Sequence, residues 1–234
     1  MKKLQKIIQW IVLLFFGSTI FFVVLYRFVP VVVTPLMVIR CAQQAARGEQ
    51  IRLKHHWVPL TEMSKYLPVA VMASEDQRFL QHHGFDVTEI YNALQERRSG
   101  KRRRGGSTIS QQTAKNVFLW PASSWIRKGL EAYFTVLIEL FWNKERIMEV
   151  YLNSIEMGDG IYGAEAVAQL HFGRPAAQLT RANCALVAAT LPNPLKFSSL
   201  NPSRYMLSRQ TAIMKQMKHI DLLEVHKSPA KAAP

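Results

Sequence analysis

Ser124–Phe141 reads SWIRKGLEAYFTVLIELF, and its spacing decides what kind of fold the chain adopts. Ser124 is a good helix-capping residue, and Leu130, Phe134, Leu137 and Phe141 follow one another at three- and four-residue steps. Such steps put the four on one side of an α-helix, an apolar stripe ready to face a core. The same signals recur on both flanks. Pro68 opens a helix through Val69–Asp76, because the N–H that proline lacks is unbonded in a first turn anyway. Asp86 with Glu89, and Thr108 with Gln111, have the separation of a capping box and predict helices over Val87–Arg97 and from Thr108 to Phe118. Further helices fit Lys144–Leu152, Gly163–His171, Arg181–Thr190 and Ser203–His219, while period-two alternation is scarce. The chain is therefore expected to be mainly α.

Ile7–Leu25 (IIQWIVLLFFGSTIFFVVL) carries no charge and, at helical rise, spans about 28 Å, close to one hydrocarbon core. It runs into Tyr26-Arg27-Phe28 rather than a small-residue cleavage site, which argues against a removable signal peptide. Trp10 and Tyr26 lie where interfacial aromatics belong, so the segment reads as a single transmembrane anchor. Lys2, Lys3 and Lys6 before it are nearly balanced by Arg27, Arg40 and Arg47 after it, leaving the side of the membrane open. The apolar stretch Phe28–Ile39 is broken by Pro30 and Pro35, too short for a second span and suited to the membrane surface. The expected organisation is a tail and anchor over 1–33, a membrane-proximal linker over 34–59, one helical domain over 60–220 and a flexible tail over 221–234.

The chain has 234 residues, 49% of them hydrophobic and 20% charged, which excludes both a disordered chain and a multi-span membrane protein. Its net charge of +14 favours an anionic partner: nucleic acid, acidic lipid or a phosphate-bearing substrate. Cys41 and Cys184 are too few and too far apart for a disulfide scaffold or a zinc site, and are expected to be unpaired structural thiols.

Some suggestive patterns carry no chemistry. Gly158-Asp-Gly-Ile-Tyr-Gly163 satisfies a dinucleotide-binding spacing but lacks the βαβ unit that gives it meaning, and is expected to be a helix-to-helix turn. Gly100–Ser107 nearly spells a phosphate-binding loop, but Gly106 stands where the lysine must be. The basic run Lys101–Arg104 comes with no nucleic-acid-reading module and sits behind a membrane anchor, so nucleic acid is not expected as a partner. His55-His56 and His82-His83 lack further ligands at metal spacing, which points to structural or surface roles.

Four blocks remain. Glu75-Asp76-Gln-Arg78-Phe79-Leu-Gln-His82-His83-Gly84 follows the apolar run Val69–Ala73. A carboxylate leaving an apolar helix is partly desolvated, the condition that suits a general base; alone, it reads equally as an exposed helix-end acid. Gly105-Gly106-Ser107-Thr108-Ile-Ser-Gln111-Gln112-Thr-Ala-Lys115-Asn116 sets a dense polar group on a helix behind paired glycines, more like a binding face than a solvated one. Arg127-Lys128-Gly-Leu-Glu131 reads at its plainest as an i,i+4 surface ion pair, and Lys144–Asn153 as a helix whose apolar members serve the core.

Together the blocks closely resemble the motifs of the peptidoglycan glycosyltransferase family, in order and wording: ED..F..H.G, GGSTI.QQ..KN, RK..E and K..I.E.YLN. An Ala/Gly-rich block ending at Phe172-Gly173 and the run Leu191-Pro192-Asn193-Pro194 extend the likeness over residues 60 to 200. With no transpeptidase domain following, the chain looks like the monofunctional, single-span branch. The resemblance implies a lysozyme-like helical domain outside the bacterial inner membrane, on the periplasmic side, that transfers a lipid-linked glycan chain to the 4-hydroxyl of lipid II. It implies Glu75 as base and Glu131 as second essential carboxylate. Lys115, Arg127 and Lys128 would meet the diphosphate, with Asp76, Phe79, His82, Gly84, Gly105, Gly106, Ser107, Thr108, Gln111, Gln112 and Asn116 shaping the substrate cleft. No organic cofactor is implied, while a divalent ion (Mg or Mn) at the diphosphate is left open, as are cell-wall synthesis or division proteins as partners. Many relatives carry an Arg shortly before the RK pair; Pro121-Ala-Ser123-Ser124 has no cation there, leaving Lys101–Arg104 as candidate replacements.

Two rivals stand beside this reading. A glycan-cleaving enzyme would also use paired carboxylates, but expelling a sugar alkoxide requires an acid, whereas expelling a lipid diphosphate requires cations. Lys115, Arg127 and Lys128 favour transfer. A non-catalytic membrane scaffold leaves Glu75, Gln111, Gln112 and Glu131 without a purpose.

Overall fold

The computed structural model describes residues 2–98, 106–223 and 225; Lys101–Arg104, Gly105 and the tail from Lys227 lie outside the described residues. Helix α1, Lys2–Tyr26, is the predicted anchor, lengthened at its N-terminus by the lysine-bearing turn. It is the one described helix long and apolar enough to cross a membrane. Its side chains are exposed except towards its C-terminal end, where Val23 is buried. There Thr19 Oγ1 lies 2.8 Å from the Tyr133 hydroxyl, and the Trp142 indole N–H donates to the Val23 carbonyl at 2.8 Å. Arg146 caps the end of α1 by donating to the Tyr26 carbonyl at 2.8 Å.

The segment expected to be a linker is instead folded onto the domain. Thr34 accepts a hydrogen bond from Met37 N–H and Pro35 takes the first position of α2, Pro35–Ala46, a start the Thr-Pro pair encodes. Strand β1, Lys54–His55, follows. Its partners are β2, Glu156–Gly158, and β3, Ile161–Tyr162, in the order β1-β3-β2, with β1 parallel and β2 antiparallel to β3. The GDGIYG run is thus the corner of a β-hairpin and not a helix-to-helix turn. Gly160 at φ +68° brings its Cα so close to the Arg52 carbonyl that a Cβ would lie 2.4 Å away, which reserves the position for glycine.

The remaining helices match the predicted ones to within a turn. They are α3 Tyr66–Glu75, α4 Val87–Arg98, α5 Ile109–Phe118, α6 Trp125–Phe141 and α7 Lys144–Ser154. After the hairpin come α8 Ala164–Phe172, α9 Arg181–Thr190 and α10 Arg204–Gln216. The capping box at Thr108 and Gln111 and the Ser124 cap both form. Helix α3 is buried from Leu67 to Ala73 and packs on α9 and α10, while α5 lies between α6 and α7. One continuous core runs through all of them but α4, with Phe79, Ile109, Ile138, Ile147 and Tyr151 wholly inside. Cys41 and Cys184 are both free; burial raises the Cys184 thiol to about 12, making it an inert core group.

Candidate active site

The site begins where α3 ends. Its last residue, Glu75, leaves a fully buried apolar helix with its carboxylate half-buried, and neutral donors hold both oxygens. Ser74 Oγ donates to Oε1 at 3.1 Å and the Gln112 side-chain amide donates to Oε2 at 3.1 Å. The Gln112 carbonyl oxygen accepts from the buried Tyr151 hydroxyl at 3.1 Å. Desolvation, then the charges of Glu75 and Asp76, push the Tyr151 phenol well above its usual range, so it stays a donor. Arg209 on α10 donates to Ser74 Oγ at 3.2 Å, completing a chain of orienting contacts that reaches Glu75 from four helices.

Asp76 and His82 work behind this carboxylate. Asp76 accepts the Ile109 N–H at 2.9 Å, placing a negative charge at the N-terminus of α5, and both its oxygens lie 3.0 Å from His82 Nε2. Thr108 Oγ1 donates to the Gly84 carbonyl at 2.6 Å while its own N–H is taken by Gln111. The first two sequence blocks are thus stitched into one wall. Gly84 sits at φ +89°, and a Cβ would meet Thr135 Cγ2 at 2.8 Å. Phe79 is wholly in the core with Lys144 Nζ 4.6 Å from its ring centre, and Asn116, Gln111, Thr108, Asp76 and His82 are buried. These residues pack into the interior beside Glu75. Gly106 and Ser107 are exposed.

Helix α6 supplies the opposite character. Glu131 is not the surface partner its spacing suggests: 3% of it is exposed, and it accepts from Arg127 at 2.7 Å and from Lys128 Nζ. The Arg127 Nε–H is buried without a partner among the described residues, while Lys128 keeps nearly half its side chain in solvent. Lys115, one turn beyond Gln112 on α5, belongs to the same cluster. Burial lowers its pKa, Glu131 opposes that, and Arg127 and Lys128 lower it further. One face of α5 therefore touches the carboxylate of Glu75 through Gln112 and, through Lys115, adds a third cation to Arg127 and Lys128.

A family profile described as transglycosylase matches residues 43–218. The chain belongs to the transglycosylase family. Three similar proteins, each called biosynthetic peptidoglycan transglycosylase, come from Bacteroides thetaiotaomicron, Bdellovibrio bacteriovorus and Caulobacter vibrioides. The first is 60% identical over 92% of this chain and 87% of its own length. The second is 51% identical over 91% and 86%, and the third 52% identical over 92% and 91%.

In this transglycosylase the donor set beside the three cations does not fit a resident divalent ion. Both Glu131 oxygens are held by Arg127 and Lys128, leaving no free carboxylate edge. Among the described residues, Asp76, His82 and Asp86 do converge, but behind the site, and most of their donors are engaged by one another, by Ile109 N–H and by Arg78.

The sequence reading gave no site role to Ser74, to Arg209 or to Tyr151, which it met only within the K..I.E.YLN motif. Tyr151 had one available signal: a tyrosine inside an apolar helical face needs a partner for its hydroxyl.

Proposed function

We infer that this transglycosylase is a monofunctional peptidoglycan glycosyltransferase that polymerises lipid II at the periplasmic face of the bacterial inner membrane. The observation that carries the reading is the pairing, along one face of α5, of an oriented carboxylate with a cluster of cations. Glu75 takes the proton of the acceptor's 4-hydroxyl as its oxygen bonds to the anomeric carbon of the lipid-linked chain. The bond from that carbon to the diphosphate breaks, and its electrons leave on lipid diphosphate. Attack opposite the leaving group inverts the centre, giving a β-linkage from an α-linked donor. Lys115, Arg127 and Lys128 meet the departing charge, Lys128 with nearly half its side chain in solvent. A glycan-cleaving enzyme needs an acid at that place, and cations stand there instead.

The anchor supports the same reading. Helix α6 opens with Trp125, 93% exposed, and Ile126, 76% exposed, directly before the cations, and α1 packs against α6 at Tyr133. Exposed apolar side chains beside an apolar helix of spanning length support a position for Arg127 and Lys128 at headgroup depth, where a lipid diphosphate lies.

Purified full-length protein in detergent, given labelled lipid II, is expected to yield a ladder of lysozyme-sensitive polymer on a gel. Glu75→Gln keeps the fold and should lower turnover by about 10²–10⁴-fold. No polymer from folded wild type, where a control polymerase works, would overturn the reading in favour of a scaffold.

A further inference from the structure

From Ala166 to Ile220 the chain carries seven lysines and arginines and no aspartate or glutamate, a surplus equal to half its net charge of +14. Two of the seven turn inward: Arg181 donates to the Met214 carbonyl and Arg209 to Ser74 Oγ, both at 3.2 Å. The other five, Arg174, Lys196, Arg204, Lys215 and Lys218, are exposed, and none pairs with a carboxylate among the described residues. The fold gathers them. On α10, Arg204, Ser208, Thr211 and Lys215 follow at steps of three and four residues and share one exposed face, which Lys218 continues in the turn Met217–His219. Met206, Ile213 and Met217 take the buried side. His171 Nδ1 lies 2.7 Å from Ser199 Oγ, and the ring centres of Phe197 and Tyr205 are 5.4 Å apart. These contacts bring the end of α8, with Arg174 after it, and the loop holding Lys196 to the first turn of α10, which Arg204 opens.

This face adjoins the end of α3 that carries Glu75. Arg209 reaches Ser74 from the inner side of α10, and the Gln216 amide donates to the side-chain carbonyl of Gln77 at 2.9 Å. A surface with cations and no acid attracts anions in general, and the site beside it decides which anion arrives. On the reading above, that site handles a glycan whose muramic units carry peptide stems with free carboxylates. We propose that the outward face of α10, with Arg174 and Lys196 at its head, is a docking surface for the peptide-bearing glycan strand, held through the carboxylates of its stems. Stems repeat along the strand, so contacts that are weak one by one act together. The bilayer is the poorer match, because the anchor packs on α6 whereas α10 packs on α3 and α9. The inference rests on the reading of the chain as a lipid II polymerase.

The test is binding of the full-length protein, in detergent, to fluorescent uncrosslinked strands made from lipid II by a control polymerase. Wild type should bind strands with their stems more tightly than strands stripped of them by an amidase. Arg204→Gln, Lys215→Gln and Lys218→Gln together should weaken binding of the stem-bearing strands by about threefold to tenfold, the scale of a few exposed ion pairs. Binding of the stripped strands should not change, and raising the salt should shrink the difference between variant and wild type. Arg204→Lys with Lys215→Arg and Lys218→Arg keeps every charge and should bind as wild type does. Equal binding by the glutamine variant and wild type would overturn the proposal. So would a glutamine variant that keeps its strand binding but loses affinity for anionic phospholipid added to the micelles, which would give the face to the bilayer. The two readings fail separately. Strand binding by a wild type that makes no polymer strikes at the polymerase; polymer made while the glutamine variant binds as wild type strikes at the docking surface alone.

Discussion

Glu75 at the end of α3 and Glu131 early in α6 are held by unlike means. Two neutral donors hold Glu75, the Gln112 amide from another helix and the adjacent Ser74 hydroxyl, with Tyr151 and Arg209 behind them from two further helices. Glu131 is held by two charges from its own helix, Arg127 and Lys128. The proposed mechanism accounts for the difference: a carboxylate that is to accept a proton is best oriented without an adjacent cation, which would hold it in its charged, weakly basic form. One that organises cations for a leaving diphosphate is, on the same proposal, saturated with them. The two sides should therefore fail in different ways.

The largest expected effect after loss of Glu75 itself is on the charged side. Glu131→Ala frees Arg127 and Lys128 from their shared partner, so the cations spread and repel across the site. Turnover of lipid II should fall by about 10²–10³-fold, the scale of losing aligned transition-state stabilisation. Glu131→Gln, which still accepts from one cation, should retain more activity. Equal activity in Glu131→Ala and wild type would remove Glu131 from the mechanism and break the comparison.

Gly84→Ala perturbs the opposite wall, pressing its methyl on Thr135 and on the stem of Glu139 and leaving Arg127, Lys128 and Lys115 in place. At φ +89° and with a Cβ 2.8 Å from Thr135 Cγ2, the change should cost roughly 2–3 kcal/mol, seen as a lower melting temperature. Because Thr108 bonds the Gly84 carbonyl, kcat should fall with it, while the salt dependence of KM stays that of wild type. A changed salt dependence would show that the two walls are not separable.

How much of each side was legible follows the same division. The RK..E cluster lies within one turn of helix, so spacing alone brought its members together, though the depth of Glu131 in the core could not be seen there. The orienting contacts on Glu75 join α3, α5, α7 and α10, pairings set by packing that no local period encodes. Helix positions were readable because caps and apolar stripes are local: Arg181–Thr190 matches its prediction residue for residue. The hairpin was not, since strands of three and two residues are too short to show alternation. Helix α2 was passed over because its prolines read as breaks, although Pro35 opens it.

Tyr151→Phe sharpens the comparison at one atom. It removes the hydroxyl that fixes Gln112 and leaves the buried ring in place. A hydrogen bond of this kind is worth about 0.5–1.5 kcal/mol, so kcat should drop about threefold to tenfold with KM and melting temperature nearly unchanged. An unchanged kcat would show that Gln112 is held well enough by Glu75 alone.

The smallest effect is expected from Lys115→Arg at neutral pH, and it becomes informative only as the solution turns alkaline. Burial lowers the Lys115 pKa from 10.5, so the folded protein favours the neutral amine more than the unfolded chain does. The unfolded chain then binds more protons between the two values, and Lys115 costs stability below that window, a cost relieved as pH rises through it. Substrate binding runs the other way, because the diphosphate needs the charge. KM should therefore climb on the alkaline side before pH 10.5, while stability gains slightly over the same interval. An arginine keeps its charge throughout, so Lys115→Arg should hold KM flat across that range if its broader head fits beside Gln112. An identical alkaline rise in the arginine variant would assign the limb to another group. The cationic wall would then owe its pH dependence to something other than the lysine that α5 shares between both sides of the cleft.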